Sequence, residues 1–253
     1  MKLYTLGTSH GRVEDSRACS ANLIFAGGKY YLFDCGGATE LRLSEIGVDP
    51  TDVSAIFISH MHEDHAGGIT AILKRFYAYN PDMKHTVLHL PDPHAEPAIM
   101  GLMDVMGKFR WNGSRFETEY EAAVDIKCYH AGIVFDDGNL KVTAIPTTHF
   151  LGGQRPSYAF LIEAEEKRML YTSDLDFDFS DYPKILYKQD FDLVLSELVH
   201  FDVEKNLTDI VRTRTKRLIF THYSNRKLLA LTSAGDLFPF EVAIAEDKQE
   251  FDV

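Results

Sequence analysis

The sequence predicts an α/β domain of stacked layers, and three observations carry that expectation. Short apolar runs of strand length recur along the chain, such as AIFIS at 55–59 and DLVLS at 192–196. Paired strands come first, and strands then alternate with helical segments, as in layered α/β domains. No repeat, low-complexity stretch or linker breaks the series, so residues 1–253 read as one domain.

Taken in order, residues 2–8 read as a strand, and 22–26 and 29–34 as a hairpin about Gly27-Gly28. Residues 38–46 read as a helix stopped by Gly47, a good residue for the left-handed position that ends a helix. The run at 55–59 is a buried strand. The loop after it turns at Gly67 and Gly68 into a helix over 67–79 that ends before Pro81. A strand at 86–90 and a helix at 94–107 follow. Residues 108–122 have no clear period and read as a loop or lid, with Lys108, Arg110, Trp111 and Arg115 available to cover a site. Strands are expected at 124–130, 139–146, 157–163, 167–172, 192–196 and 217–221, and helices at 203–214 and 225–232; VAIA at 242–245 is expected to close the domain.

Composition narrows the function classes. The chain is 45% hydrophobic and 25% charged, ordinary for a globular protein with a sizeable core. No run of about 20 apolar residues predicts a membrane span. The start is too short and polar for a secretion signal, and Cys19, Cys35 and Cys128 show no paired spacing; free thiols in a cytoplasmic protein are expected. A formal net charge of −12 opposes general nucleic-acid binding.

The chemistry concentrates in HMHEDH at 60–65, at the carboxyl end of the 55–59 strand, where α/β folds collect functional groups. His60, His62, Asp64 and His65 crowd one short loop. Imidazoles and a carboxylate suit zinc and similar divalent ions, and a merely solvated turn gains nothing from such crowding. Three more ligand types end apolar strands: His149, Asp174 and His222. Together the seven complete two sites. His60, His62 and His149 would hold one ion, Asp64, His65 and His222 the other, and Asp174 would bridge them. Asp176 and Asp178 read as solvated turn or cap residues, and Glu63 as facing solvent or bracing the loop. His10, His85, His89, His94 and His130 read as structural, with His10 near enough to the first turn to approach the site.

HMHEDH resembles the H-x-H-x-D-H signature of the metallo-β-lactamase superfamily. LFDCG at 32–36, TTH at 147–149, YTSD at 171–174 and FTHYS at 220–224 extend the resemblance over nearly the whole chain. It implies a four-layer αββα sandwich with a dinuclear site at the edge of the two sheets. It also implies the seven ligands named above, and Asp34 as an acid that braces the metal loop. The motif is highly specific for the superfamily and weakly specific for substrate.

Within the superfamily, LGTSHG at 6–11, FTHYS and DLVLSELVHF at 192–201 resemble ribonuclease Z and the cyclic phosphodiesterases of phosphonate breakdown. Two departures from ribonuclease Z stand out. Only 25 positions separate His149 from Asp174, which leaves no room for that family's tRNA-gripping arm. The catalytic histidine of that family is here Ser196, while His200 follows Glu197 by three residues.

The expected protein is therefore a metal-dependent hydrolase with two divalent ions, zinc first and manganese or iron as alternatives. It would cleave a small anionic phosphodiester, a cyclic nucleotide or cyclic phosphate, with a metal-bridging hydroxide. Metal lowers the pKa of bound water from 15.7 to about 7, so no separate strong base is needed; Asp64 would aim the nucleophile. His200, with its near-neutral pKa, is the candidate proton donor. A lactone or thioester hydrolase, and a sensor module with structural metals, are the alternatives. No tRNA or membrane partner is expected. Family members often dimerise, so the resemblance carries a homodimer as an expectation.

Overall fold

The computed structural model describes residues 1–107, 110–111, 116–117, 123–232 and 237–253. In chain order the elements are β1 (Lys2–Gly7), β2 (Ala21–Ala26), β3 (Lys29–Phe33), α1 (Thr39–Glu45), β4 (Val53–Phe57), α2 (Glu63–Ala66), α3 (Ile69–Ala78), β5 (Thr86–Leu90) and α4 (Ala95–Val105). Then come β6 (Arg110–Trp111), β7 (Phe116–Glu117), β8 (Val124–Cys128), β9 (Gly132–Asp136), β10 (Lys141–Pro146), β11 (Tyr158–Ala164), β12 (Lys167–Tyr171) and β13 (Phe191–Leu198). The chain ends with α5 (Val203–Ile210), β14 (Thr215–Tyr223), α6 (Asn225–Thr232), β15 (Glu241–Ile244) and β16 (Gln249–Asp252).

Two seven-stranded sheets result, in the orders β16-β1-β2-β3-β4-β5-β8 and β15-β14-β13-β12-β11-β10-β9. Each is antiparallel where hairpins build it and parallel where helices cross over: β3, β4, β5 and β8 run parallel, as do β12 through β15. Side-chain alternation produces the layers. Tyr31, Phe33, Ala55 and Phe57 point into the space between the sheets, where they meet Phe160, Ile162, Tyr171 and Leu195. Their neighbours Leu32 and Ile56 point outward, against Leu43 of α1, Phe76 of α3 and Met103 of α4. The second sheet packs Leu170, Val194 and Leu218 against Val203 and Ile210 of α5 and Leu231 of α6. Phe33 and Phe57 stack at 4.9 Å, and Phe160 closes on Phe33 edge-on at 5.5 Å. A strand apolar on both faces is the requirement of a sheet covered on both sides, so the αββα sandwich is present as expected.

Three expectations are corrected. VAIA does not close the chain: β16 follows and pairs antiparallel with β1 across the first sheet's edge. β9 was not expected at all. The segment 108–122 contains a small antiparallel ribbon, β6 with β7; Lys108, Arg115 and the remainder of the expected lid lie outside the described residues.

Candidate metal centre

β4 delivers the HMHEDH motif to the sheet edge. Ile58, Ser59 and His60 are fully buried, the chain leaves His62 in an extended conformation, and α2 then presents Asp64 and His65 inward while Glu63 faces solvent. The two glycines behind the motif do not supply a left-handed turn. A Cβ on Gly68 would lie 2.4 Å from the Gly36 carbonyl, and one on Gly36 would lie 2.1 Å from the Asp64 carbonyl. The loop is pressed against the β3–α1 connection, and only hydrogen fits between the two backbones.

The seven expected ligands converge. His60, His62, His149 and Asp174 offer donor atoms all within 4.8 Å of one another, and so do Asp64, His65 and His222. His62 Nδ1 stands 3.0 Å from His60 Nε2 and 3.2 Å from His149 Nε2. Asp174 faces both groups. Its Oδ2 lies 3.5 Å from His149 Nε2 and 3.7 Å from His60 Nε2, and its Oδ1 lies 3.2 Å from His65 Nε2 and 3.3 Å from His222 Nε2. Asp64 Oδ2 completes the second group, 3.7 Å from both His65 and His222.

These distances fit divalent ions better than they fit hydrogen bonds. Ligand nitrogens at about 2.0–2.1 Å around a tetrahedral zinc stand about 3.3 Å apart. Three imidazole nitrogens meeting at one point cannot all be paired by protons. His65 Nε2 and Asp174 Oδ1 are buried and make no hydrogen bond; buried polar atoms left so are rare unless an ion or water serves them. The donor set of imidazole and carboxylate suits zinc, manganese or iron.

The rings are held from behind. Asp34 is fully buried, and its carboxylate accepts His65 Nδ1 at 2.8 Å, the Ser59 amide at 2.8 Å, the Ser59 hydroxyl at 3.0 Å and the Tyr171 hydroxyl at 2.6 Å. A proton fixed on Nδ1 leaves His65 Nε2 free for a cation. His149 Nδ1 donates to the Leu175 carbonyl at 3.2 Å, with the same result. Burial, then the neighbouring His65, pushes the His60 pKa well below its ordinary value, as a neutral ligand requires. Burial also opposes charge on His65, but Asp174 and Asp34 outweigh it and raise that pKa. Asp34, Ser173 and His222 all have left-handed backbones (φ 60, 50 and 48). Such strain in non-glycine residues gathers at functional sites.

His200 stands at the edge of this cluster, its ring 4.5 Å from that of His149 and its Nδ1 3.8 Å from Asp174 Oδ2. Glu197 holds it. That buried carboxylate accepts His200 Nδ1 at 2.9 Å, the His200 amide at 2.9 Å, the Val199 amide at 2.8 Å and the Leu175 amide at 2.7 Å. Burial lowers the His200 pKa, but the charge and hydrogen bond of Glu197, then Asp174, raise it on balance to about 9. Asp174, His200 and His222 also fall within 4.8 Å as a third group of potential ligands.

The other expectations resolve simply. Asp176 accepts the hydroxyl of Thr148, 28 positions away, and Asp178 accepts the Ser180 amide in a local turn. His85, His94 and His130 are exposed and His89 is buried between Phe57 and Phe135. The His10 turn does reach the site: a Cβ on Gly11 would lie 3.7 Å from Asp64 Oδ2. Sequence reasoning did not single out Ser59, Tyr171 or Phe150. The first two lie inside quoted motifs as hydroxyls at strand ends; Phe150, whose ring is 4.2 Å from that of His62, carries no signal beyond its place after His149. No helix among the described residues is long and apolar enough to cross a membrane.

Comparison with known proteins shows the family. The family described as anti-Pycsar protein Apyc1 matches residues 1–237. The Apyc1 protein of Saccharibacillus brassicae is 28% identical over 182 residues, 70% of this chain and 69% of that protein. Ribonuclease BN of Escherichia coli O7:K1 is 31% identical over 172 residues, 66% of this chain and 51% of the enzyme, so the chain spans about half of that relative. Among solved structures, Bacillus subtilis YhfI superposes with a TM-score of 0.76 at 18% identity over 99% of this chain and 98% of its own. Human tRNase Z, short form, gives 0.72 at 20% over 100% and 99%. The chain belongs to the anti-Pycsar protein Apyc1 family and is a metallo-hydrolase of the metallo-β-lactamase fold, akin to the ribonuclease Z and BN proteins.

Proposed function

We propose that this chain is a dinuclear phosphodiesterase that hydrolyses a small cyclic phosphodiester of the cyclic nucleotide class. The observation that carries the reading is the shared carboxylate of Asp174, one oxygen toward His60 and His149, the other toward His65 and His222. His60, His62 and His149 would hold one ion, Asp64, His65 and His222 the second, with Asp174 between. Two divalent ions held there would supply Lewis acidity and acidify water. With only the two carboxylates of Asp64 and Asp174 to offset their charge of +4, the residues of the site would leave it favourable to an anionic phosphoryl group.

The chain's own groups do the rest. Asp64 is positioned to accept a hydrogen bond from the attacking oxygen and aim it. His200 donates from Nδ1 to Glu197, which leaves Nε2 to carry a proton toward the leaving oxygen, and Glu197 steadies the imidazolium. The preference for a small substrate rests on residues 150–173. They form a short turn, then the β11–β12 hairpin, with no arm to grip tRNA. A net charge of −12 adds to that preference. The name of the family and the ribonuclease names of its relatives are consistent with phosphodiester chemistry.

A substrate panel at fixed metal content tests the reading. Cyclic nucleotides should turn over faster than lactones, thioesters, β-lactams or precursor tRNA. A lactone or thioester hydrolysed far better than any diester overturns the substrate class. Tight metal binding with no turnover of any substrate would instead identify a sensor.

A further inference from the structure

The proposed ligand histidines differ in how their rings are held. His65 Nδ1 is fixed by Asp34, His60 Nδ1 lies 3.0 Å from the Ser59 hydroxyl, and His149 Nδ1 is fixed by the Leu175 carbonyl. His222 is different. Its Nε2 faces Asp174 and Asp64, while its buried Nδ1 has no hydrogen-bond partner among the described residues. Its backbone at φ 48 is strained for a residue with a side chain. With no bond to orient the ring, its aim depends on whatever holds the backbone.

That hold comes from the other sheet. Arg17, in the β1–β2 connection, has a side chain only 11% exposed. Its Nη1 donates to the Tyr223 carbonyl at 2.9 Å and to the Thr8 carbonyl at 3.0 Å, and its guanidinium carbon sits 4.0 Å above the centre of the Tyr223 ring. The Tyr223 amide donates to the Thr8 carbonyl at 3.2 Å. Arg17 Nη2 also lies 3.5 Å from Glu14, whose carboxylate accepts the Asn225 amide at 2.9 Å. The residues that follow His222 are thus gripped on both backbone and ring by one loop. A planar guanidinium can bridge two carbonyls and stack on an aromatic face at once, which an ammonium cannot.

We propose that Arg17 is the positioning residue for His222. By clamping Tyr223 it keeps His222 Nε2 aimed at Asp64 and His65, and so sets the affinity of the second metal position. The inference rests on the dinuclear reading of the site. It accounts for a buried arginine that contacts no proposed ligand directly.

The test is a calorimetric titration of metal-stripped protein with manganese or zinc, for wild type, Arg17→Met and Arg17→Lys. His222→Ala identifies which binding step belongs to the second position. The expected result is a 10–100-fold weaker second step, the range typical when the support behind a ligand is lost, with the first step within about twofold. Lysine should not restore it. Imidazole nitrogen spectra of the metal-free proteins give an independent readout: the His222 resonances should shift or broaden in Arg17→Met while those of His60 and His65 stay. Equal weakening of both steps, or unchanged affinity, overturns the proposal, as do unmoved His222 resonances. A wild type that binds one ion only defeats the dinuclear reading, and the spectra still decide the role of Arg17. If Arg17→Met does not fold, Tyr223→Leu removes the stacking surface and keeps the carbonyl; a smaller loss confined to the second step is then expected.

Discussion

Asp174 Oδ1 and His65 Nε2 face each other at 3.2 Å, both buried, in a geometry that makes no hydrogen bond. The same carboxylate turns its other oxygen to His149 and His60. One side chain therefore faces both groups of candidate ligands, and its removal should disturb both. Purified protein is expected to carry close to two ions per chain, and Asp174→Ala less than half of that, by elemental analysis. Full retention in the variant would shift the bridging role to Asp176 or Asp178.

Asp34 is the next point of leverage. Four donors converge on its buried carboxylate. Asparagine keeps the shape but turns an NH2 toward donors and loses the charge that holds the proton on His65 Nδ1. Asp34→Asn should weaken metal binding about 10–100-fold. A buried unsatisfied donor should also lower the stability of the metal-free protein by about 1–3 kcal/mol. Denaturant melts with and without chelator separate the two effects; an unchanged metal affinity would show that His65 keeps its tautomer without help.

A third expectation concerns pH and a residue away from the centre. His89 stacks on Phe57 at 4.7 Å, and burial, then the charge of Lys127, lowers its pKa to about 4. The folded protein keeps this ring neutral, whereas the unfolded chain protonates it near 6.5. Its contribution is therefore complete above pH 6.5, is lost as pH falls toward 4, and changes no further below that. The full loss is about 3 kcal/mol, of which about 2 kcal/mol falls between pH 7 and pH 5. His89→Gln cannot titrate, so urea melts at the two pH values should show wild type losing about 2 kcal/mol more than the variant. Parallel losses would mean that His89 is protonated in the folded state.

What the sequence disclosed, and what it hid, follows from where each residue sits. The seven candidate ligands were legible because His149, Asp174 and His222 fall at or just beyond the ends of β10, β12 and β14, and His60, His62, Asp64 and His65 crowd the few residues that follow β4. The strands β9 and β16 were not. Both lie at sheet edges: QEFD has a single apolar residue, and the apolar part of GIVFD is only three residues long. Gly68 was read as a turn residue although its backbone is right-handed, because close approach to Gly36 is a contact between distant segments. The same holds for Arg17 and Tyr223, 206 positions apart. Glu197 was visible as an acid, but not as the group that gathers Leu175, Val199 and His200.

The last prediction concerns that gathering. His200 Nδ1 is committed to Glu197 at 2.9 Å, and the ring lies 4.5 Å from that of His149. A group so placed can donate a proton to the oxygen that leaves as the ester bond breaks, and such donors contribute about 10² to 10⁴ in rate. The need depends on the leaving group. An alkoxide such as a ribose oxygen requires the proton in the transition state; nitrophenolate barely does. His200→Ala should therefore keep both ions, lose at least about tenfold in kcat on a cyclic nucleotide or alkyl diester, and lose little on bis-nitrophenyl phosphate. Glu197→Gln should show a milder form of the same selectivity, because the amide still accepts from Nδ1 but no longer favours the imidazolium. Equal losses on both substrates would make His200 a phosphate-binding residue, and loss of metal with activity would make it a ligand, as its place in the third group with Asp174 and His222 allows. Only the leaving-group dependence, with metal content intact, identifies a proton donor.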